Sequence, residues 1–188
     1  MSDQPTLPQK IVAIHERLDE AGIAHAFGGA LALAYYAEPR TTDDIDINVF
    51  VAPAALPAVQ NALAPLGIDA DVDPAILERD GQCRMWWGHT PLDMFFAYDE
   101  LHDAMRLQSR RQPFAEDRLP ILAPEHLLVC KVIFDRPKDW LDIEQILVCV
   151  QGLDIAEIRT WVDRIIGAED PRSQRLRENV DTLLGDGP

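Results

Sequence analysis

The chain has 188 residues, 47% of them hydrophobic and 26% charged, which is the balance of a globular domain with a real core. No apolar run approaches the roughly 20 residues that span a bilayer. Met-Ser-Asp-Gln-Pro at the N-terminus has neither the basic nor the apolar region of a secretion signal. The net charge of −15 weighs against nonspecific binding of nucleic acid, which needs a basic surface.

Taken in chain order, Ile11, Ile14 and Leu18 lie at helical spacing and predict a helix over 8–21, closed by Gly22. A short strand over 25–27 and a helix over 30–36 flank Gly28-Gly29, and an alternating, β-branched strand covers 45–51. A crossover helix over 53–66 ends at Gly67; strands over 82–88 and 90–97 form a hairpin around Gly88-His89. A helix over 100–107 follows, and 119–122 is at best a short edge strand because Pro120 lacks a donor. Helices over 124–134, 137–150, 155–166 and 171–184 complete the chain, with Pro124, Pro137 and Pro171 at first helical positions. The expected organisation is a mixed α/β core over 1–122, with a helical region over 123–188 packed on it.

The chemistry concentrates near the N-terminus, in Gly28-Gly29 and in Arg40-Thr41-Thr42-Asp43-Asp44-Ile45-Asp46-Ile47. Side chains two apart on a strand share a face, so Asp44 and Asp46 project together, about 6.5–7 Å apart along the strand. Paired carboxylates repel unless a cation sits between them. An oxygen-only donor set suits Mg2+ or Mn2+, and two such ions about 3.5–4 Å apart activate a hydroxyl and stabilise a leaving pyrophosphate. Gly28 and Gly29, at a strand-to-helix junction, are either an ordinary turn or a place where backbone N–H groups meet a phosphate.

The segment from Gly28 to Ile47 resembles the signature of the nucleotidyltransferase superfamily, the DNA polymerase β-like fold. Within it, the Gly-Gly and the Arg-x-Thr-x-Asp-x-Asp run are similar to the minimal bacterial enzymes and the AbiEii/MenT-type toxins. Lys131-Val-Ile-Phe-Asp-Arg-Pro-Lys-Asp-Trp-Leu-Asp-Ile143 resembles the later motif of that branch. The resemblance spans residues 10 to 150 and implies a small mixed sheet flanked by helices, followed by a C-terminal helical bundle. It implies transfer of a nucleoside monophosphate from an NTP, with Mg2+ or Mn2+ as cofactor. For the toxin branch it also implies a tRNA 3′ end as acceptor and a cognate antitoxin as partner. The acidic charge fits that acceptor poorly. A cationic antibiotic as acceptor, a protein acceptor, and a non-catalytic member of the fold are the alternatives.

Three further residues enter the candidate site. Asp93, inside Pro91-Leu-Asp-Met-Phe-Phe96, is either an edge-strand residue facing water or a paired or metal-bound carboxylate; the resemblance makes it the third acidic residue, a base or metal ligand. Lys131 falls in the apolar arc beside Leu127 and Leu128, so it either snorkels outward or reaches a negative partner such as triphosphate. Asp139 favours a helix N-terminus by its charge, and the resemblance instead has it orient Lys131 or the base, with Asp142 a weaker candidate. Arg40 can neutralise phosphate and Thr42 can donate a hydrogen bond, or both are loop polarity. Trp140 is either core or a base-stacking platform, Asp135 suits a helix cap, and the five histidines show no ligand spacing. Arg106, Arg110, Arg111 and Arg118, and again Lys131, Arg136 and Lys138, form a local basic strip or a solvated face. Cys83, Cys130 and Cys149 suit neither a disulfide framework nor a zinc site; buried reduced thiols and a cytoplasmic setting are expected.

Overall fold

The computed structural model describes residues 5–185, so Met1 to Gln4 of the N-terminal segment lie outside the described residues. The chain divides into two compact units: residues up to Leu31 with Thr41–Leu122, and Ala32–Arg40 with the chain from Ala123 onward.

In the first unit, α1 (Leu7–Glu20) opens on a capping box between Thr6 and Gln9 and buries Ile11, Ile14 and Leu18. Lys10 is also buried there, and its Nζ donates to Trp87 O and Thr90 Oγ1, each at 2.9 Å. β1 (His25–Phe27) is buried throughout and runs into α2 (Gly29–Leu33), which is shorter than the expected helix over 30–36. β2 (Ile45–Val49) buries Ile45, Ile47 and Val49 on one face, as its alternation requires.

The expected continuous helix over 53–66 is broken. A 3-10 turn at Pro53–Ala55 leads into α3 (Leu56–Leu63), and a second 3-10 turn at Ala64–Leu66 stops at left-handed Gly67. Pro57, in the first turn of α3, and Pro65, in the second 3-10 turn, fit the two breaks, since a proline in a helix interior removes an i to i−4 bond and clashes with the preceding turn. A helix that the periodicity does not reveal, α4 (Pro74–Asp80), has Asp73 as its cap and Gly81 as its stop. Only Leu77 of its residues is buried, too little apolar pattern to register.

β3 (Gln82–Trp87) and β4 (Thr90–Phe96) form the expected hairpin. After α5 (Glu100–Gln108), β5 (Arg110–Phe114) and β6 (Asp117–Ile121) form another. The sheet order is β3-β4-β2-β1-β6-β5; β2–β4 and β1–β6 are parallel and the other pairs antiparallel. β6 is therefore internal, not the edge strand expected from Pro120. Its pairing with β1 is a single register pair, Phe27 with Ile121, so the missing donor of Pro120 falls outside that ladder. The edge on this side is β5, whose Arg-Arg-Gln-Pro-Phe sequence has no apolar alternation; Arg111 Nη1 donates to Arg118 O and Arg118 Nη2 to Arg111 O across the pair.

The second unit contains α6 (Pro124–Phe134), α7 (Pro137–Cys149), α8 (Ile155–Ile166) and α9 (Pro171–Leu184), close to their expected bounds. Leu128, Val132, Trp140, Ile143, Ile146 and Val162 are among its buried residues. Asp135 ends α6 in the left-handed region, at φ 54°, the capping role expected of it. No described helix is long and apolar enough to cross a membrane. None of the cysteines is fully buried, contrary to expectation: Cys83 and Cys130 are half-buried and Cys149 is exposed.

Candidate active site

β2 fixes the first carboxylates. Ile45 and Ile47 point into the core, so Asp46 points the other way. Gly28 N donates to Asp46 O at 2.9 Å, tying the end of β1 to β2 beside that side chain. Gly29 has φ +50°, and a Cβ there would run into the Asp46 carboxylate. Gly28 is also tight, with Asn48 Nδ2 only 3.2 Å from a Cβ position. The glycine pair thus makes room for Asp46 itself, a reason the phosphate reading of the sequence does not contain. The Thr42 hydroxyl donates to Asp44 Oδ1.

β4 supplies the third carboxylate. Asp93 is the register partner of Asp46 across the parallel pair, so these two carboxylates lie on neighbouring strands, with Asp44 just ahead of β2. β4 is internal, which removes the edge-strand reading of Asp93. On its other side Asp93 faces Arg84 of β3, with Nε to Oδ1 at 2.6 Å and Nη2 to Oδ2 at 2.8 Å. That hydrogen bonding, and then the charge of Asp93, hold Arg84 more firmly protonated than usual, with Asp44 and Asp46 adding to the effect. Burial, with the charge of Asp93 second, pushes the neighbouring Cys83 thiol up to about 11.

The donor chemistry of Asp44 and Asp46 suits a hard divalent ion. Asp93 already holds Arg84 through both oxygens, and among the described residues no three acidic, His or Cys groups form a cation cage. Arg84 is not among the residues singled out by sequence reasoning. Its signal was available, because counting back from the Gly88-His89 turn pairs position 84 with 93.

The remaining candidates gather in the second unit. Lys131 is buried, with Nζ 2.5 Å from Asp142 Oδ2 and 3.7 Å from Asp139 Oδ1. It does not snorkel; its negative partners are carboxylates of α7. Arg40 Nε lies 3.5 Å from Asp142 Oδ2. Arg136 closes the other end, donating from Nε and Nη2 to Asp139 at 2.7 and 3.2 Å. The result is an alternating chain, Arg40, Asp142, Lys131, Asp139, Arg136. Asp139 also accepts from Arg136 N at the start of α7, where its charge suits the helix N-terminus. Asp142, the weaker candidate, is the shorter partner of Lys131. Trp140 is core: it is 2% exposed, its Nε1 donates to Asp135 at 2.6 Å, and the Arg175 guanidinium lies 4.1 Å from its ring.

No family model and no curated protein sequence matches the chain. Solved structures do. The antibiotic-resistance factor ANT(2'')-Ia in solution aligns at 15% identity over 95% of this chain and 92% of that one, with a TM-score of 0.53. The same protein crystallised with adenylyl-2''-tobramycin aligns at 15% identity over 95% and 98%, with a TM-score of 0.51. The lincosamide antibiotic adenylyltransferase LnuA, bound to lincomycin, aligns at 12% identity over 79% of this chain and 100% of that one, with a TM-score of 0.54. At such identities the likeness is one of fold: the chain has the mixed α/β, nucleotidyltransferase-like fold, a six-stranded mixed sheet flanked by helices.

Proposed function

We propose that the chain is a metal-dependent nucleotidyltransferase that moves a nucleoside monophosphate from an NTP to an acceptor hydroxyl and releases pyrophosphate. The observation that supports this best is the placement of Asp46, packed against Gly29 on one side and in register with Asp93 on the other, with Asp44 two residues before it. The fold shared with an adenylyltransferase supports the same reading. Asp44 and Asp46 would hold Mg2+ or Mn2+, which would supply charge to activate an attacking hydroxyl and to neutralise the leaving pyrophosphate.

The residues of the chain then divide the work. Asp44 and Asp46 hold the ion, and Thr42 steadies Asp44 through its hydroxyl. Gly28 and Gly29 make room for the Asp46 carboxylate and are proposed phosphate contacts on the strength of the sequence resemblance. Asp93 takes the acceptor proton or completes the ion's coordination. Lys131, Arg40, Thr42 and Asp139 are proposed nucleotide contacts on the strength of the sequence resemblance. The ion pair of Asp139 with Lys131 supports an orienting role for that carboxylate.

For the acceptor, the toxin resemblance supports a tRNA 3′ end, with an antitoxin as partner. A second reading, a small cationic acceptor, is supported by the net charge of −15 and by neighbours crystallised with adenylyl-tobramycin and lincomycin. Incubation with each α-labelled NTP and Mg2+, offering total tRNA in one arm and aminoglycosides in the other, separates them. Label in tRNA supports the toxin reading, and label in the antibiotic alone overturns it.

A further inference from the structure

We infer that Arg84 is a built-in counter-cation of the Asp44, Asp46 and Asp93 trio, holding Asp93 until a divalent ion displaces it and so setting how much ion the site requires. The inference rests on the proposed nucleotidyl transfer and adds a positioning residue to it.

Three observations carry it. Arg84 takes both oxygens of Asp93 in a forked pair, at 2.6 and 2.8 Å, which occupies the two-oxygen face of that carboxylate and sets a positive charge where an ion would have to approach. Asp93 is the register partner of Asp46, so the guanidinium is one strand away from the metal-binding pair and feels the charge of Asp44 and Asp46 as well. Finally, the side chain is able to leave. β3 is an edge strand and the Arg84 side chain is 52% exposed, so a change of rotamer releases Asp93 without moving the sheet. Trp86, next on the same face of β3, has its ring centre 5.9 Å from the guanidinium and gives the displaced cation a surface to rest on.

The electrostatics give the exchange a direction. Three neighbouring carboxylates repel one another, and one guanidinium offsets part of that repulsion. A divalent ion brings twice the charge into the same field. An incoming polyphosphate offers Arg84 a new anionic partner of suitable forked geometry. The bland alternative is a cross-strand ion pair that merely steadies the β3–β4 hairpin. The two differ in what happens to ion affinity when the arginine is removed.

The test is Mn2+ binding by the whole chain without nucleotide, read as the free Mn2+ signal in electron paramagnetic resonance, for wild type, Arg84→Gln and Arg84→Lys. Circular dichroism first establishes that each variant is folded. Arg84→Gln is expected to bind Mn2+ roughly threefold to tenfold more tightly. Arg84→Lys, which keeps the charge and loses the fork, is expected to gain less. Equal or weaker Mn2+ binding by Arg84→Gln, in a wild type that binds Mn2+ and transfers label, overturns the Arg84 inference alone. Absence of both Mn2+ binding and label transfer in wild type overturns the proposed function and this inference with it.

Discussion

Asp46 and Asp93 are register partners across the parallel pairing of β2 and β4, each on a strand that buries its other face in the core. The backbone of both residues is fixed by central strands. Gly29 completes the arrangement, because its missing side chain is the space the Asp46 carboxylate occupies.

Gly29→Ala is therefore expected to be worse than Gly28→Ala. Alanine at φ +50° costs about 1–2 kcal/mol from the backbone alone, and its Cβ then displaces Asp46. Calorimetry should show a lower Tm, and NTP turnover should fall beyond what the lost stability explains. At Gly28 the nearest obstacle, Asn48 Nδ2 at 3.2 Å, belongs to a side chain that can yield.

Asp44→Asn and Asp46→Asn are expected to keep the fold and lose at least about 100-fold in transfer, since each removes charge from the ion site and leaves its shape. Steady-state rates at saturating Mg2+, with Tm as the control for folding, check this. A variant of either residue with wild-type turnover removes that carboxylate from the mechanism.

Lys131 has a structural role that is separable from any contact with nucleotide. Lys131→Ala leaves Asp142 and Asp139 buried, with Arg40 and Arg136 still paired to them. Breaking such a buried pair is expected to cost about 3 kcal/mol in urea unfolding, and Lys131→Met with Asp142→Asn should recover part of the loss. An unchanged unfolding curve for Lys131→Ala would show that this lysine is kept for a ligand and not for the fold.

Much of this was legible in the sequence because it follows from short-range rules. Alternation around Asp46 fixed its face, proline and glycine marked the helix ends of the second unit, and the misplaced Lys131 announced a buried anionic partner. What escaped has physical causes. α4 and β5 lack an apolar period, since one buries little more than Leu77 and the other is held by backbone pairing and two arginines. The internal place of β6 depends on one long-range register pair with β1, which no local pattern encodes. The identity of the anion beside Lys131 is likewise a tertiary matter: Asp142 lies 11 positions along, across the α6–α7 turn. The pairing of Arg84 with Asp93 is countable from the two-residue hairpin turn, but nothing local marks that arginine apart from other strand-surface arginines.

The first unit also carries a pH response. His15 Nδ1 and His25 Nε2 are 2.8 Å apart, and His25 Nδ1 donates to Ile23 O at 2.8 Å. Burial lowers the pKa of His25 from the ordinary 6.5 to about 4, and burial lowers His15 as well, with Arg111 second. The folded state binds the proton less well than the unfolded chain, so the contribution of His25 to stability is complete above pH 6.5 and is lost as the pH falls toward 4. Between pH 7 and pH 5 the loss from His25 is about 2 kcal/mol. Urea unfolding at the two pH values should show it, and His25→Leu should flatten the difference.

The most direct test of the account is pyrophosphate release from each NTP with Mg2+, with tRNA and aminoglycosides offered as acceptors, for wild type and for Asp46→Asn of equal Tm. The expected result is acceptor-dependent release by wild type that disappears on chelation of the ion and falls at least about 100-fold in Asp46→Asn. Release that is unaffected by the chelator, or equal in the two proteins, would contradict a metal-dependent transfer centred on Asp46.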